Sequence, residues 1–185
     1  MEKATLAQGQ ELLKLVSQSS IEKDGLQALL ESGEFTTLLR KYSYNIITRF
    51  VRVDRTRTPR NAINAIKGDD FVNDSLLKHM PACGEGVEKN VEVIFFRLCR
   101  ATSDNELALE YEKRGLKPDP YAVAAVNEAD PKFASDYPNA THWKDVEGKW
   151  VIFYIQSVFG KPCASCSCSD LVDHNIWWWF GGVRK

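Results

Sequence analysis

The chain has 185 residues, of which 44% are hydrophobic and 26% charged, and its formal net charge is −1. This length and composition predict one globular core and exclude a disordered or fibrous protein. Every run without a charged residue is far shorter than the roughly 20 apolar residues of a membrane-spanning helix, and the chain opens without a signal-peptide pattern. We therefore expect a cytoplasmic protein with no membrane partner.

The net charge conceals an uneven distribution. Residues 40–67, the basic segment, contain eight basic side chains and one acidic side chain, Asp54, so the segment carries +7 and the remainder of the chain −8. Such a segment either binds nucleic acid or pairs within the fold with the acidic stretch of residues 101–147, and we expect internal pairing. The nucleic-acid alternative would use Arg49, Arg52, Arg55, Arg57 and Arg60, with Tyr44 near enough in sequence to stack on a base.

The first 50 residues predict helices. Apolar residues recur at helical spacing over residues 3–32, with a break at 17–20 and a closing Gly33, which indicates a helical hairpin. The periodicity continues from Phe35 to Phe50 and predicts a third helix.

Strand and helix patterns follow one another in the middle of the chain. Val51–Arg55 alternates as a short strand, and Thr58 followed by Pro59 forms an N-cap and first-turn proline. Asp74 and Ser75 would cap another short helix. The β-branched and aromatic run Val91–Leu98 predicts an interior strand of a sheet.

Local chemistry predicts two further helices. Ser103–Glu106 is a capping box that begins a helix over Asp104–Arg114, with Gly115 at its C-terminal end. Asp119 followed by Pro120 begins the next helix, which ends near Asp130.

The C-terminal part predicts strands. Thr141–Lys144 and Lys149–Val158 flank a four-residue connection with a glycine, as in a hairpin. Lys161–Asp173, rich in Ser and Cys, predicts a loop, and Ile176–Phe180 predicts a last strand before Gly181-Gly182.

Helices come first and strands mostly later, without regular alternation of the two. This order predicts an α+β fold in which N-terminal helices pack on one face of a mostly antiparallel sheet formed largely by the C-terminal half. We expect a single domain over residues 1–185, with residues 1–50 as its helical N-terminal part. One sheet core should contain Val93, Phe95, Ile152, Tyr154 and Trp179.

Three stretches of the C-terminal half, Arg114–Asp130, Asn139–Lys144 and Trp179–Lys185, carry a resemblance. Together they resemble a bacterial family of uncharacterised proteins. The resemblance implies neither a named fold nor an activity, and the Cys-Ser stretch of this chain departs from the family pattern.

Cys163, Cys166 and Cys168 form a Cys-x-x-Cys-x-Cys motif with His174 six positions on, which has the ligand types of a tetrahedral zinc site. A structural zinc site usually draws on a second, distant ligand pair, and the sequence has no second Cys-x-x-Cys. We therefore expect reduced thiols without metal, with a disulfide as an alternative, and no cofactor.

Glu128, Asp130 and His142 could form a hydrolase or nuclease site, with the carboxylates holding a metal or acting as base and His142 transferring a proton. A simpler interpretation is that Asp130 caps the turn at Pro131 and Glu128 is solvated. The sequence contains no nucleophile elbow, phosphate-binding glycine loop, dinucleotide motif or paired-His zinc helix. We therefore expect no enzymatic activity.

In a strand, Trp177 and Trp179 would point to one face and Trp178 to the other. Trp178 is thus a candidate contact for a partner, unless the N-terminal helices cover it. The leading functional hypothesis is a non-enzymatic interaction module that binds a protein partner. The alternatives are the metal-dependent hydrolase or nuclease and the nucleic-acid-binding protein.

Overall fold

The computed structural model describes residues 5–35, 46–72, 77–78, 80–98, 100–168 and 177–185. The chain forms two compact units, residues 1–44 and residues 45–185.

Among its described residues, the first unit has two helices, α1 (Leu6–Gln18) and α2 (Lys23–Glu31). Thr5 begins α1 with a capping box, and the chain after α2 turns at Gly33, whose φ is +75°. Both predicted helices are confirmed. Neither buries a residue, and Leu13 is 69% exposed.

The second unit contains the other helices and all the strands that are described. Its elements are β1 (Ile46–Asp54), α3 (Pro59–Asn64), β2 (Asp69–Val72), β3 (Val87–Arg97), α4 (Asp104–Lys113), β4 (Leu116–Pro118), α5 (Pro120–Ala129), α6 (Phe133–Asp136), β5 (Asn139–Lys144), β6 (Trp150–Val158), β7 (Lys161–Cys168) and β8 (Trp179–Arg184).

These strands form one eight-stranded sheet in the order β1-β3-β8-β5-β6-β7-β2, with β4 paired to β8 beside this path. The pairs β5–β8 and β2–β7 are parallel, and the others are antiparallel. The predicted α+β fold with a mostly antiparallel sheet is therefore confirmed. No described helix has the length and apolar character needed to cross a membrane.

The two faces of the sheet carry different cores. On one face, Val93, Phe95 and Trp179 pack in a cluster with α5, in which Pro120–Asn127 is buried throughout. On the other face, Phe96 and Phe180 pack with Leu107 and Tyr111 of α4. Helices thus contribute to the core on both sides of the sheet.

The prediction of one core is wrong for Ile152 and Tyr154. Both are only partly buried, and both pack with the cluster on the α4 face. Because side chains alternate along a strand, Val151 and Phe153 of β6 occupy the face that contacts α5.

The capping predictions are confirmed. The Thr58 side chain accepts a hydrogen bond from the backbone N–H of Asn61, Ser103 and Glu106 form the capping box of α4, and Asp119 caps α5. The predicted hairpin is present as β5 and β6, and Gly148 in its turn has a φ of +79°.

The prediction of a helix over Phe35–Phe50 is wrong for its last five residues, and residues 1–50 are therefore not a purely helical part. Ile46–Phe50 belongs to β1, where Ile46 lies opposite Phe96 of β3. The β-branched residues of this stretch satisfy a strand as well as a helical pattern. Residues 36–45 and the predicted cap at Asp74-Ser75 lie outside the described residues.

The predicted loop Lys161–Asp173 is wrong for residues 161–168, which form β7 between β6 and β2. The remaining residues, 169–173, lie outside the described part of the chain. β7 pairs with β6 along one edge and with β2, which is distant in sequence, along the other. This pairing on both edges overrides the weak strand propensity of Ser and Cys.

The last strand begins at Trp179 and contains Gly181 and Gly182, which were predicted to follow it. A Cβ atom on Gly181 would lie 2.6 Å from the Phe95 ring and 2.6 Å from a Val123 methyl group. The glycine is therefore needed inside β8, because β3 and α5 approach its backbone closely.

Replacing Phe95 by Ala should destabilise the fold by about 3 to 5 kcal/mol, because its fully buried ring packs against Phe133 with centroids 4.9 Å apart. Urea unfolding measures the loss. The control is Leu109→Ala on α4, where the side chain is 54% exposed and the change should stay within about 0.5 kcal/mol. Equal effects for the two variants would contradict the position of Phe95.

Candidate functional site

The structure separates the residues of the predicted hydrolase site. Glu128 lies on α5, where its two carboxylate oxygens accept hydrogen bonds of 2.6 and 3.1 Å from Arg57. Asp130 follows the end of α5, and its side chain accepts from the backbone N–H of Lys132 at 3.2 Å. His142 stacks on Tyr111, which belongs to the core on the opposite face of the sheet. No metal-binding group of three or more His, Cys, Asp or Glu residues exists among the described residues.

The cysteines of the predicted metal motif lie on β7. Cys166 is buried in the core on the α5 face, and burial raises the pKa of its thiol to about 12. Strand alternation places Cys163 on the opposite face from Cys166 and Cys168. The three sulfur atoms therefore do not face a common point on this strand, and His174 lies outside the described residues.

Two arginines of the basic segment pair inside the fold, as predicted. Arg55 is buried, and its Nη2 atom lies 2.8 Å from a carboxylate oxygen of Asp119, while its Nε contacts Glu88. Arg57 pairs with Glu128. Asp119 and Glu128 both belong to the acidic stretch 101–147, so the predicted internal pairing with this stretch is confirmed for Arg55 and Arg57.

The other three arginines have different surroundings. The guanidinium of Arg49 lies 5.0 Å from the centroid of the Phe133 ring, and Arg60 donates to the carbonyl oxygen of Val72 at 2.8 Å. Arg52 is exposed and forms no ion pair of 4 Å or less with a described residue. Of the five arginines proposed for nucleic acid, most are thus engaged in contacts within the fold.

Arg52 also lines a charged cleft between β1, α3 and α5, with a volume of about 350 Å³. Its other charged lining residues are Asp54, Arg57, Lys67 and Glu128. The Arg57–Glu128 pair neutralises two of these charges, and the side-chain and backbone hydrogen bonds from Thr56 lower the pKa of Asp54. The cleft is therefore closely balanced in charge.

β1 is the terminal strand of the sheet. It pairs with β3 along one edge, and no other described strand pairs with its second edge. Ile46 and Phe50, on the face opposite Val51 and Val53, are 40% and 59% exposed. The helical prediction missed both residues, because the alternation of apolar and polar side chains at Val51–Arg55 breaks at Phe50 and Arg49.

The tryptophan triplet is only partly a strand. Trp177 precedes β8 and is 63% exposed, whereas Trp179 is buried. Trp178 is half-buried and meets the Tyr154 ring edge-on, with centroids 5.2 Å apart. The role of Trp178 in partner binding stays a prediction.

A second cavity, which we call the aromatic pocket, lies between α4, β4 and the ends of β5 and β6, with a volume of about 370 Å³. Three rings line it in a stack. The centroids of Tyr111 and His142 are 5.4 Å apart at 25°, and those of His142 and Trp150 are 4.6 Å apart at 11°. The sequence indicates His142 as a candidate but not Tyr111 or Trp150, because the three residues come from separate elements.

Comparison with known protein families, curated proteins and solved structures found no match to this chain. The resemblance to an uncharacterised bacterial family therefore stays a prediction.

Alkylation should distinguish the thiols. With iodoacetamide at pH 8, the exposed Cys168 should react first and Cys83 more slowly, since burial raises the pKa of Cys83 to about 11. Cys166 should stay protected until the protein unfolds. Peptide mass spectrometry measures the order, and a sample in denaturant provides the control in which all thiols react alike. Modification of Cys166 as fast as Cys168 would contradict their placement on β7.

Proposed function

We propose that this chain is a cytoplasmic, non-enzymatic interaction module that binds a protein partner along β1. The observation that carries the proposal is that the terminal strand of the sheet exposes two large apolar side chains, Ile46 at 40% and Phe50 at 59%. The partner supplies an extended segment, which adds to the sheet as a further strand.

Backbone chemistry favours this mode of binding. An edge strand presents a row of N–H and C=O groups that a partner strand can satisfy, while pockets and exposed side chains on alternate positions give specificity. One face of β1 carries the side chains of Ile46, Thr48 and Phe50, at every second position. An apolar residue of the partner opposite Phe50 would remove its ring from water, and cross-strand pairs of this kind stabilise a sheet.

The charges of β1 favour an acidic partner over a second copy of the chain. Arg49 and Arg52 lie on this strand, with Asp54 at its end. Arginines on an edge strand disfavour pairing with the same strand of another copy, because like charges then approach each other. Arg52 is exposed and shares a strand face with Phe50, so a segment with an apolar residue opposite Phe50 and an acidic residue two positions further along would instead pair favourably with β1.

The arginine contacts weigh against the two alternatives. Arg55 and Arg57 are held by Asp119 and Glu128, so binding phosphates with them would require breaking ion pairs within the fold. Glu128 and His142 belong to opposite faces of the sheet, which does not support a shared hydrolase site.

Selection of randomised linear peptides on the purified protein should enrich extended segments that carry an apolar and an acidic residue two positions apart. The Phe50→Glu variant should bind a selected peptide at least about tenfold more weakly, because it removes apolar contact and adds repulsion. Isothermal titration calorimetry measures the affinity. Raising the salt concentration should also weaken binding to the wild type.

Leu109→Glu is the matched control, since Leu109 is similarly exposed, at 54%, but lies on α4. It should bind the peptide as the wild type does. The proposal fails if Phe50→Glu and Leu109→Glu bind alike, or if the selected peptides are basic. A dimer in the wild type that dissociates on Phe50→Glu would show instead that a second copy occupies β1.

A further inference from the structure

We infer that the aromatic pocket binds a small, planar aromatic anion. The pocket is remote in sequence from β1 and does not depend on the proposed partner strand. It is formed by α4, the short strand β4 and the ends of β5 and β6.

The stack of rings leads from the core to the surface. Tyr111 is 2% exposed and donates to the carbonyl oxygen of Gly181 at 2.8 Å, which fixes its ring. His142 is fully buried between Tyr111 and Trp150, and its Nε2 lies 3.4 Å from the carbonyl oxygen of Asp104. Trp150 is half-buried and forms the outer end of the stack. The pocket therefore presents the edge of a preformed aromatic stack, to which a planar ring can bind edge-on.

The charged residues around the pocket are mostly basic. Lys117, Lys144 and Lys185 line it against one acidic residue, Glu112. Lys185 lies 3.8 Å from Glu112, whereas the Lys144 ammonium lies 4.7 Å from the centroid of the Trp150 ring. Lys144 already places a cation over Trp150, so this charge pattern favours an anionic ligand over a cationic one.

Size and composition define the ligand further. A volume of about 370 Å³ is that of a small-molecule site, and the remaining wall includes Pro81, Leu116 and Pro118. Apolar walls favour an uncharged planar body, and lysine side chains are long enough to reach a carboxylate or phosphate at its edge. The class that combines these features is a one- or two-ring aromatic carboxylate or phosphate.

The test uses a matched pair of probes, naphthalene-2-carboxylate and its uncharged amide. Titration calorimetry, with ligand-observed NMR as a second readout, should show the carboxylate binding at least about tenfold more tightly, because a lysine contributes a charge-assisted hydrogen bond only to the anion. Naphthyl phosphate in place of the carboxylate reports which anionic group the lysines prefer. Cyclohexanecarboxylate, which lacks an aromatic plane, should bind more weakly than either anion.

Lys144→Gln should weaken binding of the carboxylate but not of the amide, and Trp150→Leu should weaken both. Lys149→Gln is the control, because Lys149 is exposed nearby, pairs with Glu147 and does not line the pocket. The Lys144 variant keeps the test valid even if Trp150→Leu fails to fold. The inference is overturned if the carboxylate does not bind, if the amide binds equally well, or if Lys144→Gln and Lys149→Gln behave alike.

Discussion

The buried ion pair between Arg55 and Asp119 is the constraint on which the arrangement of the second unit depends. The Asp119 carboxylate accepts a hydrogen bond of 3.1 Å from Nη1 of Arg55. It also accepts a hydrogen bond of 2.9 Å from the backbone N–H of Ala122, which caps α5. Arg55 also contacts Glu88 of β3. One side chain thus joins the end of β1, its neighbouring strand and the first turn of α5. Since an unpaired charge in this position would be costly, the pair specifies where α5 begins on the sheet.

The position of α5 determines which surfaces of the sheet remain for binding. With α5 on one face, Val51 and Val53 of β1 are buried, and Ile46 and Phe50 on the opposite face stay exposed at the terminal strand. On that opposite face, α4 packs over the centre of the sheet and forms one wall of the aromatic pocket. The two proposed binding surfaces therefore arise from the same asymmetry between the faces. At the first surface, a partner strand pairs with the open edge of β1. At the second, a small molecule occupies the aromatic pocket beside α4.

Local chemistry was predictable from the sequence, whereas long-range contacts were not. The caps at Ser103 and Asp119 follow from side chains that bond to their own backbone neighbours. The residues at 161–168 become a strand only because β6 and β2 pair with them, and Gly181 lies inside a strand because Phe95 approaches it. Likewise, charge alone predicted that the basic segment pairs internally but did not identify Asp119. The aromatic pocket combines rings from three elements, and no sequence spacing brings them together.

A double-mutant cycle on Arg55 and Asp119 tests most directly whether this ion pair organises the fold. Arg55→Met leaves a buried carboxylate without its partner and should cost about 3 to 5 kcal/mol in urea unfolding. Asp119→Asn keeps an oxygen that can cap α5, so the double variant should be more stable than Arg55→Met alone, with a coupling energy of at least about 1 kcal/mol. Arg52→Met, which removes an exposed arginine, should change the free energy of unfolding by less than about 0.5 kcal/mol. Additive single effects, or equal losses from Arg55→Met and Arg52→Met, would contradict the account.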